Sequence, residues 1–335
     1  MDFTELVDLA SERLGGSVIY ANDEFFAPKE NLLRPSAPVF IEGKYTERGK
    51  WMDGWETRRR RTPGYDWCIV RLGLPGLVRG LLVDTAFFRG NYPAQCSLDA
   101  CVVADFRDEH LFNLDEEGLW TQILPVTDLQ GDTQNFVPVR GTEAFTHLRF
   151  KIYPDGGVAR LRVYGEVLPD PSLLREAGEV DLAAVENGGM VVAASDMFFG
   201  HRHNLIMPGR AVSMSDGWET QRRRGEGNDW VVVKLGAKGN ISRLEVDTAH
   251  FKGNYPESCS LEACDASGRA VEGESTQALP WREVLPRVRL QAHTRHHFAD
   301  SIKAAGAVTH VRFQIYPDGG VSRLRVYGRA GEGES

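Results

Sequence analysis

One motif occurs twice in the chain and limits what the chain can fold into. The sequence Asp-Gly-Trp-Glu-Thr begins at Asp53 and again at Asp216, 163 residues later. The same offset relates three further pairs of motifs: Asp-Thr-Ala at 84–86 and 247–249, Gly-Asn-Tyr-Pro at 90–93 and 253–256, and Tyr-Pro-Asp-Gly-Gly at 153–157 and 316–320. Because separate motifs keep one offset, we predict a tandem duplication. The predicted first domain covers residues 1–168, a linker covers 169–179, and the second domain covers 180–330.

The composition excludes several classes of protein. A chain of 335 residues with 42% hydrophobic and 26% charged residues is typical of two ordinary globular domains. Its net charge of −8 argues against a nucleic-acid partner, because the phosphate backbone attracts basic surfaces. The sequence has no apolar run of membrane-spanning length, and residues 1–5 are acidic where a signal peptide would be basic. We therefore expect a cytoplasmic protein with no membrane partner.

The five cysteines do not have the spacing of a metal site or a disulfide framework. Cys96 and Cys101 correspond to Cys259 and Cys264 in the second copy, and Cys68 has no counterpart. No Cys-x-x-Cys spacing occurs, and the count is odd. We predict free and mostly buried thiols.

The hydrophobic pattern predicts an all-β fold. Each copy begins with apolar residues at helical spacing, ending at Gly15 or Gly188, which predicts a short leading helix over residues 3–14 and in the matching segment from Val180. Beyond these segments, β-branched runs and alternating stretches such as 147–152 predict antiparallel strands joined by Pro-Asp-Gly-Gly turns. Short strands with regular turn signals predict one β-sandwich per copy.

Arginines follow the repeated Trp-Glu motif in both copies. Arg58 to Arg61 lie beside Asp53 and Glu56, and Arg222 to Arg224 lie beside Asp216 and Glu219. An extended backbone divides such a run between two faces. One interpretation is a structural network in which buried arginines pair with carboxylates. The other is a guanidinium group placed to bind a carboxylate or ureido substrate.

Polar residues at strand ends form a second pair of candidate clusters. Asp84 precedes the turn that contains Asn91, and Asp247 precedes the turn that contains Asn254. An Asp at a strand end commonly caps the backbone. Loops at the end of a sandwich can also converge on a small molecule, so both interpretations stay open.

The histidines differ between the copies. His250 corresponds to Phe87, and His293, His296 and His297 have no clear counterpart. His201 and His203 would place both rings on one face of a strand, but two ligands make an incomplete metal site. No cofactor motif is evident, and a divalent metal is left open.

Six motifs spread over about residues 15–328 have the pattern of one known family. They are Asp-Glu-Phe-Phe-Ala at 23–27, Lys-Trp-Met-Asp-Gly-Trp-Glu at 50–56, Gly-Asn-Tyr-Pro at 90–93, Pro-Gly-Arg-Ala at 208–211, Asp-Gly-Trp-Glu-Thr at 216–220, and Ile-Tyr-Pro-Asp-Gly-Gly at 315–320. With these motifs the chain resembles the allantoicases of purine (allantoin) degradation. The resemblance implies a tandem pair of jelly rolls of the galactose-binding-like type, and hydrolysis of allantoate to ureidoglycolate and urea. The alternative is a non-catalytic tandem jelly-roll protein that binds a carbohydrate or another small molecule.

Candidate site residues follow from the chemistry of allantoate, which carries one carboxylate and two ureido groups. Arginine would bind the carboxylate, and acidic groups or histidine would transfer protons. The candidate substrate-binding residues are Asp53, Arg59, Asn91, Asp216, Arg222 and Asn254. The candidate catalytic residues are Glu56, Glu219, Asp247 and His250. We assign no metal ligands, and we expect a homo-oligomer with allantoate as its small-molecule partner.

One hypothesis uses the difference between the copies to choose the active one. His250 has a side chain suited to proton transfer near neutral pH, whereas Phe87 cannot transfer a proton. We therefore expect His250 to converge with Asp247, Glu219 and Arg222 in the second copy.

Overall fold

The computed structural model describes residues 2–103, 119–271 and 273–331. The chain divides into two compact units, Met1–Leu168 and Pro169–Ser335. In the first unit the strands are β1 (Val7–Asp8), β2 (Ser17–Ala21), β3 (Tyr45–Thr46), β4 (Gly49–Lys50), β5 (Trp55–Glu56), β6 (Asp66–Asp84), β7 (Gln95–Cys101), β8 (Thr121–Asp128), β9 (Gln134–Pro138), β10 (Ala144–Tyr153), β11 (Gly157–Val158) and β12 (Arg160–Val167).

The long strand β6 joins the two layers of the first sandwich. Its first half pairs with β2 and β10, and its second half pairs with β9 and β12, all antiparallel. β10 continues to β7 and then β8, and β12 continues to β1. Val70 and Val83, from the two halves of β6, belong to one hydrophobic cluster with Phe150 and Val163. The two layers therefore face each other across a shared core, where each large apolar side chain contributes about 1.5–3 kcal/mol on burial.

The second unit repeats this arrangement around its own long strand. Its strand order is β13-β22-β16-β20-β17-β18, and β14 and β19 also pair with β16. The strands are β13 (Glu179–Asp181), β14 (Met190–Ala194), β15 (Trp218–Glu219), β16 (Asp229–Asp247), β17 (Ser258–Cys264), β18 (Arg282–Arg289), β19 (Arg295–Phe298), β20 (Val308–Tyr316), β21 (Gly320–Val321) and β22 (Arg323–Ala330). The predicted all-β tandem fold is confirmed, and the five cysteines are buried and free, as predicted.

The leading segments differ from the prediction. Residues 3–14 form two 3-10 turns, Phe3–Glu5 and Glu12–Leu14, on either side of β1. The continuous helix expected there does not form, because Asp8 accepts hydrogen bonds from the backbone of Ala10 and Val163 and holds the segment at the sheet edge.

The matching segment of the second unit behaves in the same way. β13 occupies the sheet edge and is followed by a 3-10 turn, Val185–Asn187. The α-helix α1 (Pro171–Glu176) lies within the residues predicted as a linker. Other 3-10 helices are Lys29–Leu33, Arg202–Ile206, Met214–Asp216 and Gly273–Ala278.

The Pro-Asp-Gly-Gly turns use their glycines for two different reasons. Gly156 and Gly319 have φ of +138° and +133°, which an L side chain rarely adopts. Gly320 comes next, and a Cβ at this position would lie 1.9 Å from the Phe251 ring. The ring therefore requires a residue without a side chain in β21.

We predict that Gly320→Ala destabilises the second domain. The added methyl group overpacks the contact with Phe251, which costs about 1–3 kcal/mol, and a loss of that size lowers the Tm by several degrees. Gly225→Ala is the control, because a Cβ there meets no atom within 4 Å. Thermal unfolding of both variants is the measurement, and equal Tm values would contradict the predicted clash.

Candidate active site

A cleft of about 830 Å³ lies where three repeated motifs of the second domain meet. Glu219 and Arg222 line it from the Trp-Glu motif and the arginines behind it, Asn254 from the Gly-Asn-Tyr-Pro turn, and Asp318 from the Pro-Asp-Gly-Gly turn. Segments that lie far apart in the sequence thus place charged and amide groups around one space.

The backbone of Glu219 is hydrogen-bonded to a neighbouring segment on each side. β15, which contains it, pairs with β21, and its carbonyl accepts hydrogen bonds from Phe199 and Gly200 at 3.2 and 3.1 Å. The preceding Trp218 is fully buried, and its indole nitrogen donates to the Asp196 carbonyl at 2.8 Å. Because the backbone is fixed, the half-buried carboxylate has a defined place at the cleft wall.

Asn254 fixes the direction of that carboxylate. The side-chain amide of Asn254 donates to Oε1 of Glu219, and the backbone carbonyl of Asn254 accepts from the Gly320 N–H at 2.8 Å. An oriented carboxylate at the wall of a water-accessible cleft can take a proton from water or deliver one.

Adjacent arginines in this segment have different roles. Arg223 forms an ion pair with Asp229, and its backbone N–H donates to Oδ2 of Asp318 at 2.8 Å. Arg222 is exposed and lines the cleft, and the structure shows no ion pair for it among the residues it describes. The structural interpretation of the arginine cluster therefore applies to Arg223, and the substrate-binding interpretation of Arg222 stays a prediction.

The first domain contains the equivalent side chains. The Asn91 amide donates to Oε1 of Glu56 at 2.6 Å, and Arg60 pairs with Asp66 at 2.7 Å. Arg59 is exposed, as Arg222 is. Glu56 is more enclosed than Glu219, and its burial raises the pKa of the carboxyl, outweighing the hydrogen bond from Asn91.

Asp53 and Asp216 lie beneath the loop in buried ion pairs. Asp53 contacts Arg160 at 2.7 Å, and Asp216 contacts Arg323 at 3.0 Å. Burial alone would raise the pKa of Asp53, but hydrogen bonds from Arg160 and the Val39 backbone bring it below its ordinary value. This geometry favours the structural interpretation of both carboxylates over substrate binding.

Asp247 and His250 do not line the cleft that contains Glu219. Oδ1 of Asp247 accepts from the Ala249 N–H at 2.8 Å, which is the backbone-capping role. Asp247 also lines a separate cleft of about 300 Å³, together with Glu245 and Arg323. The expected convergence of His250 with Asp247, Glu219 and Arg222 is therefore wrong.

The backbone explains where His250 points. His250 and Phe87 share a φ of +70° in the same turn. Nε2 of His250 lies 3.0 Å from the Ala211 carbonyl, so the ring packs on a neighbouring loop. The turn conformation is common to both copies, and only the ring on it differs.

Two of the other histidines replace short polar residues as hydrogen-bond acceptors. His293 accepts the His250 N–H at 2.7 Å, where Asp132 accepts from Phe87 in the first domain at the same distance. His296 accepts from a backbone N–H in the same way as Asn135. Within the described residues, no group of three or more His, Cys, Asp or Glu side chains is arranged to hold a metal ion.

Several cleft residues, among them Tyr255, Asp318 and Arg289, are not among the candidate site residues predicted from the sequence. Tyr255 and Asp318 belong to motifs that recur in both copies, so the repeat itself carries the signal that could have found them. Arg289 lines the same cleft but lies in a stretch where the offset between the copies changes. No recurring motif marks Arg289.

The sequence matches the family described as "Allantoicase repeat" over residues 7–168 and again over 180–331. The chain belongs to the allantoicase family. It is 50% identical to a probable allantoicase of Burkholderia mallei over 322 residues, covering 96% of this chain and 94% of that protein. It is 49% identical to a probable allantoicase of Pseudomonas fluorescens (strain SBW25) over 327 residues, covering 98% and 97%.

Solved structures give the same family. The crystal structure of allantoicase from Saccharomyces cerevisiae superposes with a TM-score of 0.81 at 36% identity, covering 96% of this chain and 92% of that one. The allantoicase resemblance and the assignment to an enzyme family are thus confirmed, rather than the alternative of a non-catalytic binding protein.

We predict that Asp216→Ala lowers stability more than it lowers substrate affinity. Removing one partner of a buried ion pair leaves Arg323 uncompensated, which costs about 3–5 kcal/mol. The measurements are the Tm and, well below it, the KM for allantoate. Ser215→Ala, an exposed neighbour, is the control. A normal Tm with a strongly raised KM would show instead that Asp216 binds substrate.

Proposed function

We propose that the chain hydrolyses allantoate to ureidoglycolate and urea in the cleft of the second domain. The observation that carries this proposal is the arrangement of three side chains on one cleft: the Glu219 carboxylate, the Asn254 amide that orients it, and the exposed Arg222 guanidinium. Membership of the allantoicase family identifies allantoate as the substrate.

The reaction breaks the bond between the central carbon of allantoate and one ureido nitrogen. The oxygen of a water molecule bonds to that carbon, and the water loses one proton. The departing nitrogen gains a proton and leaves as urea, while ureidoglycolate keeps the new hydroxyl and the carboxylate. The enzyme must therefore move one proton from water to nitrogen and hold an anion in place.

The cleft residues suit these two tasks. Glu219 accepts the proton of the attacking water and delivers a proton to the leaving nitrogen, and general acid–base catalysis of this kind contributes about 10²–10⁴ in rate. Asn254 keeps the carboxylate oriented throughout. Arg222 binds the substrate carboxylate, since a guanidinium fork matches its two oxygens.

We predict that Glu219→Gln lowers kcat by about 10²–10⁴-fold, because the amide keeps the shape of the side chain but cannot exchange the proton. Urea release from allantoate is the measurement, and the wild-type protein should release none from arginine. Glu226→Gln, an exposed neighbour, is the control. Near-normal turnover by folded Glu219→Gln, or comparable turnover of arginine, would refute the proposal.

We further propose that the reaction proceeds without a cofactor, because side chains and water supply every proton transfer in the scheme. Dialysis against EDTA should then leave urea release within about twofold of its starting rate, a change worth less than 0.5 kcal/mol. Loss of activity that is restored by one divalent metal would show that a metal is required.

Two expectations from the sequence stay predictions. One is the homo-oligomeric state, for which exposed apolar side chains such as Phe198 and Val212 provide association surface. The other is the cytoplasmic location. In the described parts of the chain, no helix has the length and apolar character needed to cross a membrane.

A further inference from the structure

Arg289 lies at a position where the two copies carry opposite charges. The following residue, Leu290, donates its backbone N–H to the Glu257 carbonyl at 3.0 Å, and Leu129 donates in the same way to Ala94 at 2.9 Å in the first domain. These matched hydrogen bonds place Asp128 of the first copy where the second copy has Arg289.

The charge of Arg289 is largely uncompensated by its neighbours. Its side chain is 89% exposed, and its Nε lies 3.9 Å from Oε1 of Glu257. Glu257 already accepts a hydrogen bond from Arg287 at 2.8 Å. Arg287 is in turn fixed by Ser258 at 2.7 Å and lies over the Tyr316 ring. One carboxylate therefore serves two guanidinium groups, and the exposed Arg289 lines the cleft while it shares Glu257 with Arg287.

The first domain reverses this charge while it keeps the groups around Glu56. Ala94 and Val126 stand where the second copy has Glu257 and Arg287, and the Asp128 carboxylate accepts from the Gln95 amide at 2.8 Å. The three positions together carry a charge of −1 in the first copy and +1 in the second. The Glu–Asn pair and the exposed arginine are common to both copies. The charge of the three positions beside them, which we call the rim of the cleft, therefore distinguishes the second domain from the first.

We propose that Arg289 acts with Arg222 to bind the carboxylate of the substrate, and that it makes the second-domain cleft selective for an anionic ureido compound. This inference rests on the proposed function. Two guanidinium groups that line one cleft can each form charge-assisted hydrogen bonds with a carboxylate. Asp128 at the same place would repel that carboxylate. Arg289 is thus a specificity-determining residue, distinct from the group that transfers the proton.

The first experiment separates binding from catalysis. Arg289→Ala should raise the KM for allantoate by about 10- to 100-fold, the scale of one charge-assisted hydrogen bond, and leave kcat within about threefold. Arg289→Lys should recover part of the loss, because it keeps the charge without the fork. Arg282→Ala removes an equal charge at the other end of β18 and is the matched control.

The second experiment tests the charge of the ligand. The wild-type protein should prefer allantoate to its neutral amide, and Arg289→Ala should lose most of that preference. Equal losses for both compounds, or no change in KM for Arg289→Ala, would overturn the inference.

The first domain supplies the remaining control. Asp128→Ala should leave the KM for allantoate unchanged, and a change there would place binding in the first copy and refute the inference. Glu219→Gln keeps the two proposals separate. If Glu219→Gln is inactive and Arg289→Ala is normal, the reaction proposal stands and the role of Arg289 fails. If Glu219→Gln is active, the proposed site itself fails.

Discussion

The candidate site depends on a short backbone pairing between segments far apart in the sequence. Strand β15 (Trp218–Glu219) pairs with β21 (Gly320–Val321), and this pairing sets Glu219 beside the Asn254 turn. The pairing requires a close approach that glycine alone permits, since a side chain on Gly320 would enter the Phe251 ring. Trp218 also fixes this strand, because its side chain is fully buried and its indole N–H donates a hydrogen bond to the Asp196 carbonyl. The position of the Glu219 carboxylate thus depends on the absence of a side chain at Gly320 and on the buried ring of Trp218.

Duplication has preserved the hydrogen-bond acceptors of this scaffold more strictly than the residue types. His293 and Asp132 accept the same backbone N–H, and so do His296 and Asn135 in the next part of the loop. A backbone donor in a turn needs an acceptor, and a neutral imidazole nitrogen serves as well as an oxygen. His293 and His296, which have no clear counterpart in the sequence, are therefore explained by turn geometry.

The sequence predicts those features whose cause is local. Alternation and turn residues predict the strands, and the constant offset predicts the duplication and the recurring Glu219, Arg222 and Asn254. The helix expected over residues 3–14 fails because a tertiary contact of Asp8 outweighs the apolar spacing. The placement of His250 fails because proximity to a strand end does not reveal which loop its ring faces. Arg289 is not predicted from the sequence, because the two copies differ at this position and no recurring motif marks it.

For the binding of an anionic substrate, the local charge of the cleft matters more than the net charge of the whole protein. The chain carries a net charge of −8, which would repel an anionic substrate at long range. At physiological ionic strength, however, charges separated by more than about 8 Å are largely screened in solvent. Within that distance a bound carboxylate can pair with the guanidinium groups of Arg222 and Arg289, although the carboxylates of Glu219, Glu257 and Asp318 line the same cleft. The acidic surface farther away contributes little. Two copies of one fold can therefore keep the same Glu–Asn pair and still differ in the charge of the side chains around it.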